Sequence, residues 1–292
     1  MKKGRIIKLI GGLYTVLDDE FQRYNLKPRG IFRHKGIQLK VGDWVMFNED
    51  VIEEVLERKN DLYRPMIANV DQVLLVNSVI SPDFSFLLLD KFITLIEANH
   101  IEPVIIITKI DLMDNQSLDA LKAKLAYYEQ FYRVIYFSSK TQENLEQIKT
   151  ITKGKVNVLA GQTGAGKSTI LNTINPDLKI TTNEISKALG RGKHTTRHVE
   201  LIMFGEGFIA DTPGFSSLEF KGFKADELKD YFVDFLPHAS GCKFNQCTHL
   251  HEPGCQVKFE VQEGRILKER YEDYQYLYQE LKAVKPRYRR DK

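Results

Sequence analysis

The chain has 292 residues, of which 42% are hydrophobic and 28% charged, a balance typical of folded globular proteins and unlike that of disordered or collagen-like chains. No apolar run is long enough to cross a bilayer. Charged residues interrupt the N-terminal segment, where a secretory signal needs an apolar core. The three cysteines are confined to residues 242–255 and cannot form a disulfide framework. We therefore expect a cytoplasmic protein, with two or three domains on length alone.

Charge is unevenly distributed along the chain, although the net charge is only +3. Residues 1–40 carry ten Lys or Arg against three acidic residues, and residues 282–292 carry six against one. Basic ends favour phosphate-rich partners, because each neutralised phosphate releases condensed counterions. They are equally compatible with solvated tails that aid solubility, so charge alone leaves both interpretations open.

The first sixty-odd residues have the pattern of a small β-barrel. Short apolar or alternating runs separated by turn residues predict strands at residues 5–9, 13–17, 30–33, 44–47 and 51–56. Such strands in a basic segment are typical of the oligonucleotide-binding (OB) barrel, which we predict for residues 1–65. Four aromatic side chains could stack on bases or belong to the barrel core, and for each one the core is favoured: Tyr14, Tyr24, Phe32 and Trp44.

From residue 69 the pattern changes to alternating strands and helices. Strands are predicted at residues 72–76, 104–108, 133–138 and 155–159, with helices between them at residues 84–99, 118–130 and 145–151. This order predicts an α/β domain with a parallel sheet over residues 66–218. The alternation then stops, and a Cys/His cluster precedes a helix predicted at residues 271–284. We assign residues 219–292 to a zinc-binding, mostly helical domain.

A phosphate-binding loop follows the predicted strand at residues 155–159. The sequence fits G-x-x-x-x-G-K-[ST] at every position, with Thr169 next: Gly161, Gln162, Thr163, Gly164, Ala165, Gly166, Lys167 and Ser168. We expect Lys167 to reach the β- and γ-phosphates of a nucleotide and Ser168 to ligate Mg²⁺. The alternative, a glycine-rich turn that binds no nucleotide, is disfavoured by the preceding strand and the helix predicted at residues 168–174.

Two further motifs favour guanine as the base. The first, at the end of a buried strand, consists of Thr108, Lys109, Ile110 and Asp111. The Asp111 carboxylate can accept hydrogen bonds from N1–H and the exocyclic amine of guanine, whereas adenine would leave it unpaired. Lys109 would cover the base with its aliphatic stem. The second motif is Ser138, Ser139 and Lys140, where a backbone N–H can meet guanine O6. Each motif alone could be a surface turn.

The last nucleotide motif is Asp211-Thr212-Pro213-Gly214. Here Asp211 would hold Mg²⁺ through water, and the Gly214 N–H would contact the γ-phosphate. Either Thr195 or Thr196 would complete the Mg²⁺ coordination, and the sequence leaves open which of them does so.

Catalysis requires a group that orients the attacking water. Phe215 stands where Ras-like enzymes have a glutamine for this task, so we expect slow intrinsic hydrolysis. His194, beside the two switch threonines, is the candidate for positioning the water. The alternative is that His194 faces solvent and a partner supplies catalysis.

The motifs stand in a circularly permuted order. Ras-like enzymes begin with the phosphate loop, whereas here the base-reading motifs precede it and the Asp211 motif comes last. A permuted chain is possible because the site needs strand ends close in space, not in sequence. The segment after Gly214 leads directly into the C-terminal domain, so we expect the nucleotide state to reposition that domain.

A metal site is predicted in the C-terminal domain. The spacing Cys242-x₄-Cys247-x-His249-x₅-Cys255 supplies three thiolates and one imidazole, the ligand set of a closed, structural zinc site. Spacing alone does not distinguish His249 from His251. The alternative is buried cysteines without a metal, which the clustering of all three disfavours.

These features together resemble a known family, the circularly permuted, ribosome small-subunit-dependent GTPases of bacteria (RsgA), over essentially the whole chain. The similarity is carried by the barrel, by the permuted motifs, by the metal cluster and by four short segments: Val41-Gly42-Asp43, Arg64-Pro65, Asn69-Val70-Asp71-Gln72 and Gly192-Lys193-His194-Thr195-Thr196.

The resemblance implies a monomeric GTPase that binds the small (30S) ribosomal subunit and its 16S rRNA and acts in late assembly, with one structural Zn²⁺, Mg²⁺ bound with GTP, and hydrolysis stimulated by the ribosome. It favours His249 as the fourth ligand and His194 as the catalytic residue. The family often has Asn where this chain has Thr108, which weakens one support for the base and leaves Asp111.

Three other functions are less consistent with the sequence. A nucleic-acid-binding module with an inactive phosphate loop is disfavoured by intact Lys167, Ser168 and Asp211. An ATPase or kinase is disfavoured by Asp111. A membrane-recruited GTPase would need a lipidation signal or a basic amphipathic helix, and the sequence has neither.

Overall fold

The computed structural model describes residues 1–62, 66–176, 199–211 and 223–283. The N-terminal region contains strands and one short helix, with bounds β1 Lys2–Ile10, β2 Leu13–Asp18, β3 Arg23–Pro28, α1 Gly30–His34, β4 Trp44–Phe47 and β5 Val51–Val55. The strands pair in the order β1-β2-β3-β5-β4, and β4 returns to β1, which closes the barrel. Since β3 and β5 pair in parallel and the others are antiparallel, this is the predicted OB-type barrel.

The strand predicted at residues 30–33 is wrong, because these residues form α1 and the missing strand is β3. The error has a physical reason. Strand β3 buries only Leu26 among polar neighbours, so its sequence lacks an apolar signal. The run that has this signal buries only Phe32 and leaves Ile31 46% exposed, and so short a run does not distinguish helix from strand.

The barrel aromatics do not form a free stacking surface. Phe32 is in the core, and the Tyr24 ring packs against Phe47 with centroids 4.9 Å apart. Trp44 is half-buried, and the Lys3 ammonium and the Arg5 guanidinium lie over its ring, 4.8 and 4.3 Å from the ring centroid. The core interpretation is therefore right for Phe32, and Tyr14 and Tyr24 are partly buried against the same apolar core.

A connector ties the barrel to the next domain. It contains the paired strands β6 Asp61–Leu62 and β7 Ile67–Ala68. Arg58 donates from Nε and Nη2 to the two carboxylate oxygens of buried Asp43, at 2.7 and 2.8 Å. Gly42 has a φ of +92°, and a Cβ there would lie 2.0 Å from the Ala68 carbonyl oxygen, so only glycine fits. Of the segments that carry the family resemblance, Arg64-Pro65 and residues 192–196 lie outside the described residues.

The central domain is a sheet between two layers of helices. Its strands are β8 Gln72–Ser78, β9 Glu102–Thr108, β10 Arg133–Phe137, β11 Val156–Ala160, β12 Glu200–Phe204 and β13 Gly207–Asp211. The helices are α2 Phe86–Glu97, α3 Asn115–Tyr128, α4 Leu145–Thr152 and α5 Lys167–Ile174. Strands β10-β9-β8-β11-β13 run parallel, and β12 is antiparallel to β13.

Alternating side chains of β8 face opposite helix layers. Val73 and Leu75 pack in the cluster that contains residues of α2 and α3, whereas Leu74 and Val76 pack in the cluster that contains residues of α4 and α5. All four are fully buried, as expected for a parallel strand covered on both faces. The predicted α/β sheet is therefore confirmed, and β12 and β13 are the strands of this sheet that the sequence analysis did not predict.

The C-terminal region surrounds a long helix. It contains a 3₁₀ helix at Ala225–Tyr231 followed by α6 Leu236–Ala239, α7 Gln256–Gln262 and α8 Lys268–Ala283. Phe232, Phe235 and Tyr274 are fully buried, and Leu95 of α2 belongs to the same apolar cluster. The domain thus packs on α2. Within the described parts of the chain, no helix has the length and hydrophobicity needed to cross a lipid bilayer.

A buried charge network fastens α8 to the central domain. Arg270, 1% exposed, lies 2.5 Å from the Asp90 carboxylate of α2 and 2.9 Å from that of Asp234. Tyr127 of α3 donates to the other Asp234 oxygen at 2.8 Å. Burial raises the pKa of the Asp90 carboxyl to about 7, and the adjacent guanidinium opposes this shift.

Replacing Arg270 by leucine should destabilise the C-terminal region by about 3–5 kcal/mol, because it leaves two buried carboxylates without their cation. Hydrogen exchange of the α8 amides measures this change. Lys124→Met is the matched control, since it breaks the Lys124–Glu269 pair, whose side chains are about half exposed, and should cost less than about 1 kcal/mol. Equal protection in the two variants would contradict the assigned role of Arg270.

Candidate nucleotide site and metal centre

The described parts of the predicted nucleotide motifs meet at one edge of the sheet. Thr108 ends β9 and pairs in register with Phe137, the last residue of β10. Residues 161–168 follow β11, and Asp211 ends β13. Because the carboxyl ends of parallel strands lie at the same edge, the described segments of the permuted motifs lie together there. His194, Thr195, Thr196, Gly214 and Phe215 lie outside the described residues.

The phosphate loop has the backbone that its glycines predict. Gly161 has a φ of +124°, and a Cβ there would lie 2.0 Å from the Val76 carbonyl oxygen. Gly166, at a φ of +96°, directly precedes α5. Ser168 lies buried in the first turn of α5, and Thr169 after it is exposed. The loop therefore leads into a helix N-terminus, the arrangement that suits phosphate oxygens.

The Lys167 ammonium lies against the loop backbone. It donates to the carbonyl oxygens of Gly161 and Gln162 at 2.7 and 2.6 Å. Burial lowers the pKa of Lys167 to about 8, because carbonyl dipoles replace only part of the lost hydration. A phosphate anion at this ammonium would reverse that shift.

Thr108 joins the base-reading motif to the phosphate loop. Its hydroxyl donates to the Ala165 carbonyl oxygen at 2.6 Å, with the Asn77 carbonyl oxygen at a longer 3.2 Å. The Cβ that a residue other than glycine would have at position 166 lies 3.4 Å from the same hydroxyl. Thr108 thus makes a direct link between the two halves of the site, which the sequence analysis did not foresee.

Replacing Thr108 by valine should weaken GTP binding by about two- to tenfold, because it removes this hydrogen bond and leaves the Ala165 carbonyl oxygen unpaired. Thr108→Ser keeps the hydroxyl and should bind like the unaltered chain. Calorimetric titration with GTP measures both variants. An unchanged affinity in Thr108→Val would show that the link does not support the site.

The Asp111 carboxylate is exposed to solvent, and a hydrogen bond from a buried serine orients it. Ser138, fully buried, donates its hydroxyl to Asp111 Oδ1 at 2.7 Å. Asp111 lies in the 3₁₀ helix Ile110–Leu112, which is anchored by buried Ile110, and Ser139 and Lys140 are exposed beside it. The hydroxyl of Ser138 is a contact that sequence reasoning missed, although a serine directly after a buried strand was its signal.

Lys109 is held by a loop rather than free to move. It has a φ of +60°, and its ammonium donates to the Ile80 carbonyl oxygen at 3.1 Å and to that of Ser81. The loop after β8 also lies against the phosphate loop, since a Cβ at Gly164 would be 3.5 Å from Pro82. This loop, which no motif identified, therefore supports both the base-reading and the phosphate-binding segments.

The predicted metal ligands converge. The ligand atoms of Cys242, Cys247, His249 and Cys255 all lie within 4.8 Å of one another. His249 Nδ1 lies 3.5 Å from Cys242 Sγ and 3.4 Å from Cys255 Sγ, and the two sulfurs are 3.9 Å apart. A tetrahedral zinc with its usual bond lengths places sulfur atoms about 3.8 Å apart and sulfur and nitrogen about 3.6 Å apart. The three distances among Cys242, His249 and Cys255 match this geometry.

The surroundings of the cluster resolve the choice of histidine. His249 is buried and its imidazole lies beside the cysteine sulfurs, whereas His251 is exposed. The Tyr271 hydroxyl donates to the His249 carbonyl oxygen at 2.7 Å, and the backbone N–H of Gln256 donates to Cys242 Sγ at 3.3 Å. Burial raises the pKa of the Cys247 thiol to about 12, and a bound cation would oppose this shift by favouring the thiolate.

Comparison with known proteins agrees with this geometry. The sequence model of a family described as "RsgA GTPase" matches residues 55–221, and one described as "RsgA N-terminal domain" matches residues 3–54. The chain belongs to the RsgA GTPase family. It is thus a GTP-hydrolysing enzyme, and the resemblance inferred from the sequence is confirmed.

Relatives match the chain from end to end. A protein of Oceanobacillus iheyensis named "Small ribosomal subunit biogenesis GTPase RsgA 2" is 48% identical over 99% of this chain and 100% of its own length. One of Geobacillus kaustophilus, "Small ribosomal subunit biogenesis GTPase RsgA", is 46% identical over the same shares.

Two solved structures have the same fold. YjeQ of Thermotoga maritima superposes with a TM-score of 0.88 at 38% identity, covering 97% of this chain and 99% of that one. YloQ, described as a circularly permuted GTPase, superposes with a TM-score of 0.84 at 42% identity, covering 99% and 97%. The fold class of a permuted GTPase domain with an N-terminal barrel and a C-terminal Cys/His cluster is therefore confirmed.

Proposed function

We propose that this chain acts in biogenesis of the small ribosomal subunit, where it hydrolyses GTP to GDP and phosphate at a rate that the subunit stimulates. The observation that carries the proposal is the similarity along the whole length to relatives whose names state this role. The assembled base-reading and phosphate-binding motifs support the choice of GTP. The basic barrel supports contact with 16S rRNA.

In the proposed site, Asp111 accepts hydrogen bonds from the guanine base, and Ser138 holds its carboxylate in place. Lys167 and the loop amides bind the phosphates, and Ser168 ligates Mg²⁺, which would neutralise charge on the β- and γ-phosphates. The remaining proposed contacts are made by Asp211, Gly214 and Thr195 or Thr196. We assign the positioning of the attacking water to His194.

The proposed Cys₃His centre holds one structural zinc ion. Four protein ligands leave no open coordination position, so the ion would supply folding energy and no chemistry. The proposed domains are the barrel at residues 1–65, the GTPase domain at 66–218 and the zinc domain at 219–292. We further propose a cytoplasmic monomer.

The decisive experiment is turnover of GTP and ATP by the purified chain, with and without small ribosomal subunits. We expect slow hydrolysis of GTP alone, which rises sharply with the small subunit and does not rise with the large one. His194→Ala should then slow stimulated hydrolysis with near-normal GTP affinity. Turnover that the small subunit leaves unchanged would contradict the proposed partner, and no turnover would favour a nucleic-acid-binding module with an inactive loop.

A further inference from the structure

Strand β1 belongs to both the barrel and the GTPase sheet. Its first half, residues 2–5, pairs with β4 in the barrel, and Lys8 pairs with Glu200 of β12. The register of β1 against β2 shifts between Ile6 and Lys8, where the strand changes partner. The barrel strands and the GTPase strands therefore form one continuous sheet across the described residues.

The junction lies at the nucleotide edge of the sheet. Glu200 pairs on one side with Lys8 and on the other with Asp211. Lys8, Glu200 and Asp211 thus form a row across three adjacent strands, from the barrel to the first residue of the Asp-Thr-Pro-Gly motif. In the sequence, Thr196 stands only four positions before Glu200. The barrel therefore meets the GTPase domain at the end of the strand that leads into this motif.

Packing makes this junction able to transmit a displacement. The Lys8 ammonium lies 2.6 Å from Glu200 Oε2, with each side chain 36% exposed. Ile7 of the barrel and Val199 and Leu201 beside Glu200 are buried in one common apolar cluster. Since closely packed interiors have little free space, a shift of β1 must move β12 with it.

We propose that Lys8 and Glu200 are positioning residues that couple contact between the barrel and the small subunit to the nucleotide site. The partner shifts β1, the cross-strand pair transmits the shift to β12, and β12 transmits it to its partner strand β13, which ends at Asp211. This inference rests on the proposed function, because it requires a subunit-stimulated rate.

The test is a charge-reversal cycle of Lys8→Glu, Glu200→Lys and the double exchange. Each single variant places like charges directly opposite each other on paired strands, which disfavours the pairing. We expect the maximal subunit-stimulated rate to fall about two- to fivefold in each, with unstimulated turnover and the half-stimulating subunit concentration near those of the unaltered chain. The double exchange restores opposite charges and should recover most of the rate.

Lys27→Glu is the matched control, because Lys27 is an exposed lysine on β3, which pairs with β2 and β5. It should raise the half-stimulating concentration and leave the maximal rate unchanged. Lys8→Gln, which removes charge without repulsion, provides a milder variant if a reversal fails to fold.

The outcomes separate this inference from the proposed function. Single reversals with a normal maximal rate would overturn the coupling role. A double exchange no faster than the slower single variant would overturn it too, since Lys8 would then act through a contact of its own. An unaltered chain that the subunit does not stimulate would overturn the proposed function as well.

Discussion

Replacing Lys167 by alanine should weaken GTP binding by about 100-fold or more. The lysine is the only charged donor within the phosphate-loop motif itself, and its ammonium already lies against the loop carbonyls of Gly161 and Gln162. Hydrogen bonds between an ammonium and a phosphate are among the strongest that a protein makes. This variant removes the expected bonds from Lys167 to the GTP phosphates and leaves the loop glycines unchanged. Equilibrium titration with a fluorescent GTP analogue measures the affinity.

Lys149→Ala is the control for this variant. Lys149 is a lysine of α4 whose partner is Glu146, so its loss changes the net charge equally and should leave GTP affinity unchanged. Retained affinity in Lys167→Ala would contradict the assignment of the phosphate loop.

The same lysine predicts a pH dependence of binding. In the free protein burial lowers the pKa of Lys167 to about 8, whereas bound phosphates favour its charged form and raise the pKa. Above about pH 8 binding must therefore take up a proton, and GTP affinity should fall by up to about tenfold per pH unit. Titration calorimetry in buffers of different ionisation enthalpy at pH 8.5 measures the proton uptake; its absence would show that Lys167 is already fully charged.

Replacing Cys247 by alanine should release the metal and unfold the segment around it. The segment at residues 242–255 contains little regular structure, and structural zinc contributes about 10–16 kcal/mol to the folding of small zinc-binding peptides. Tyr271 and Tyr274 of α8 would also lose the ordered carbonyl acceptors of His249 and Thr248. We expect metal content to fall from one ion per chain to near zero and amide protection to disappear in α7.

His251→Ala is the matched control for metal loss, since this exposed histidine lies two residues from His249 and outside the cluster. It should keep the metal and the amide protection. In both variants the amides of β8 and β11 should stay protected, because their core does not depend on the cluster. An unaltered chain without zinc in elemental analysis would refute the zinc assignment.

Sequence reasoning succeeded for local structure, where the signal lies in consecutive residues. The phosphate loop, the Asp111 motif and the buried strands are each local, and their residue types determine their structure. It failed at β3 and α1, where exposure and burial depend on how the barrel closes. It also missed β12, whose pairing with β1 joins residues 192 positions apart. The repositioning of the C-terminal domain by nucleotide stays a prediction.

By itself the sequence determined the family and the fold class, and it predicted the chemical groups of the site, because glycine, lysine, carboxylate and thiolate at fixed spacing have few other uses. Only the tertiary structure decided which neighbouring side chains hold these chemical groups in place. The Thr108 hydroxyl on Ala165, the Ser138 hydroxyl on Asp111, His249 in preference to His251, and Arg270 between its carboxylates are all contacts of a few ångströms. Spacing along the chain does not determine distance in space, because packing brings distant segments together and separates near neighbours.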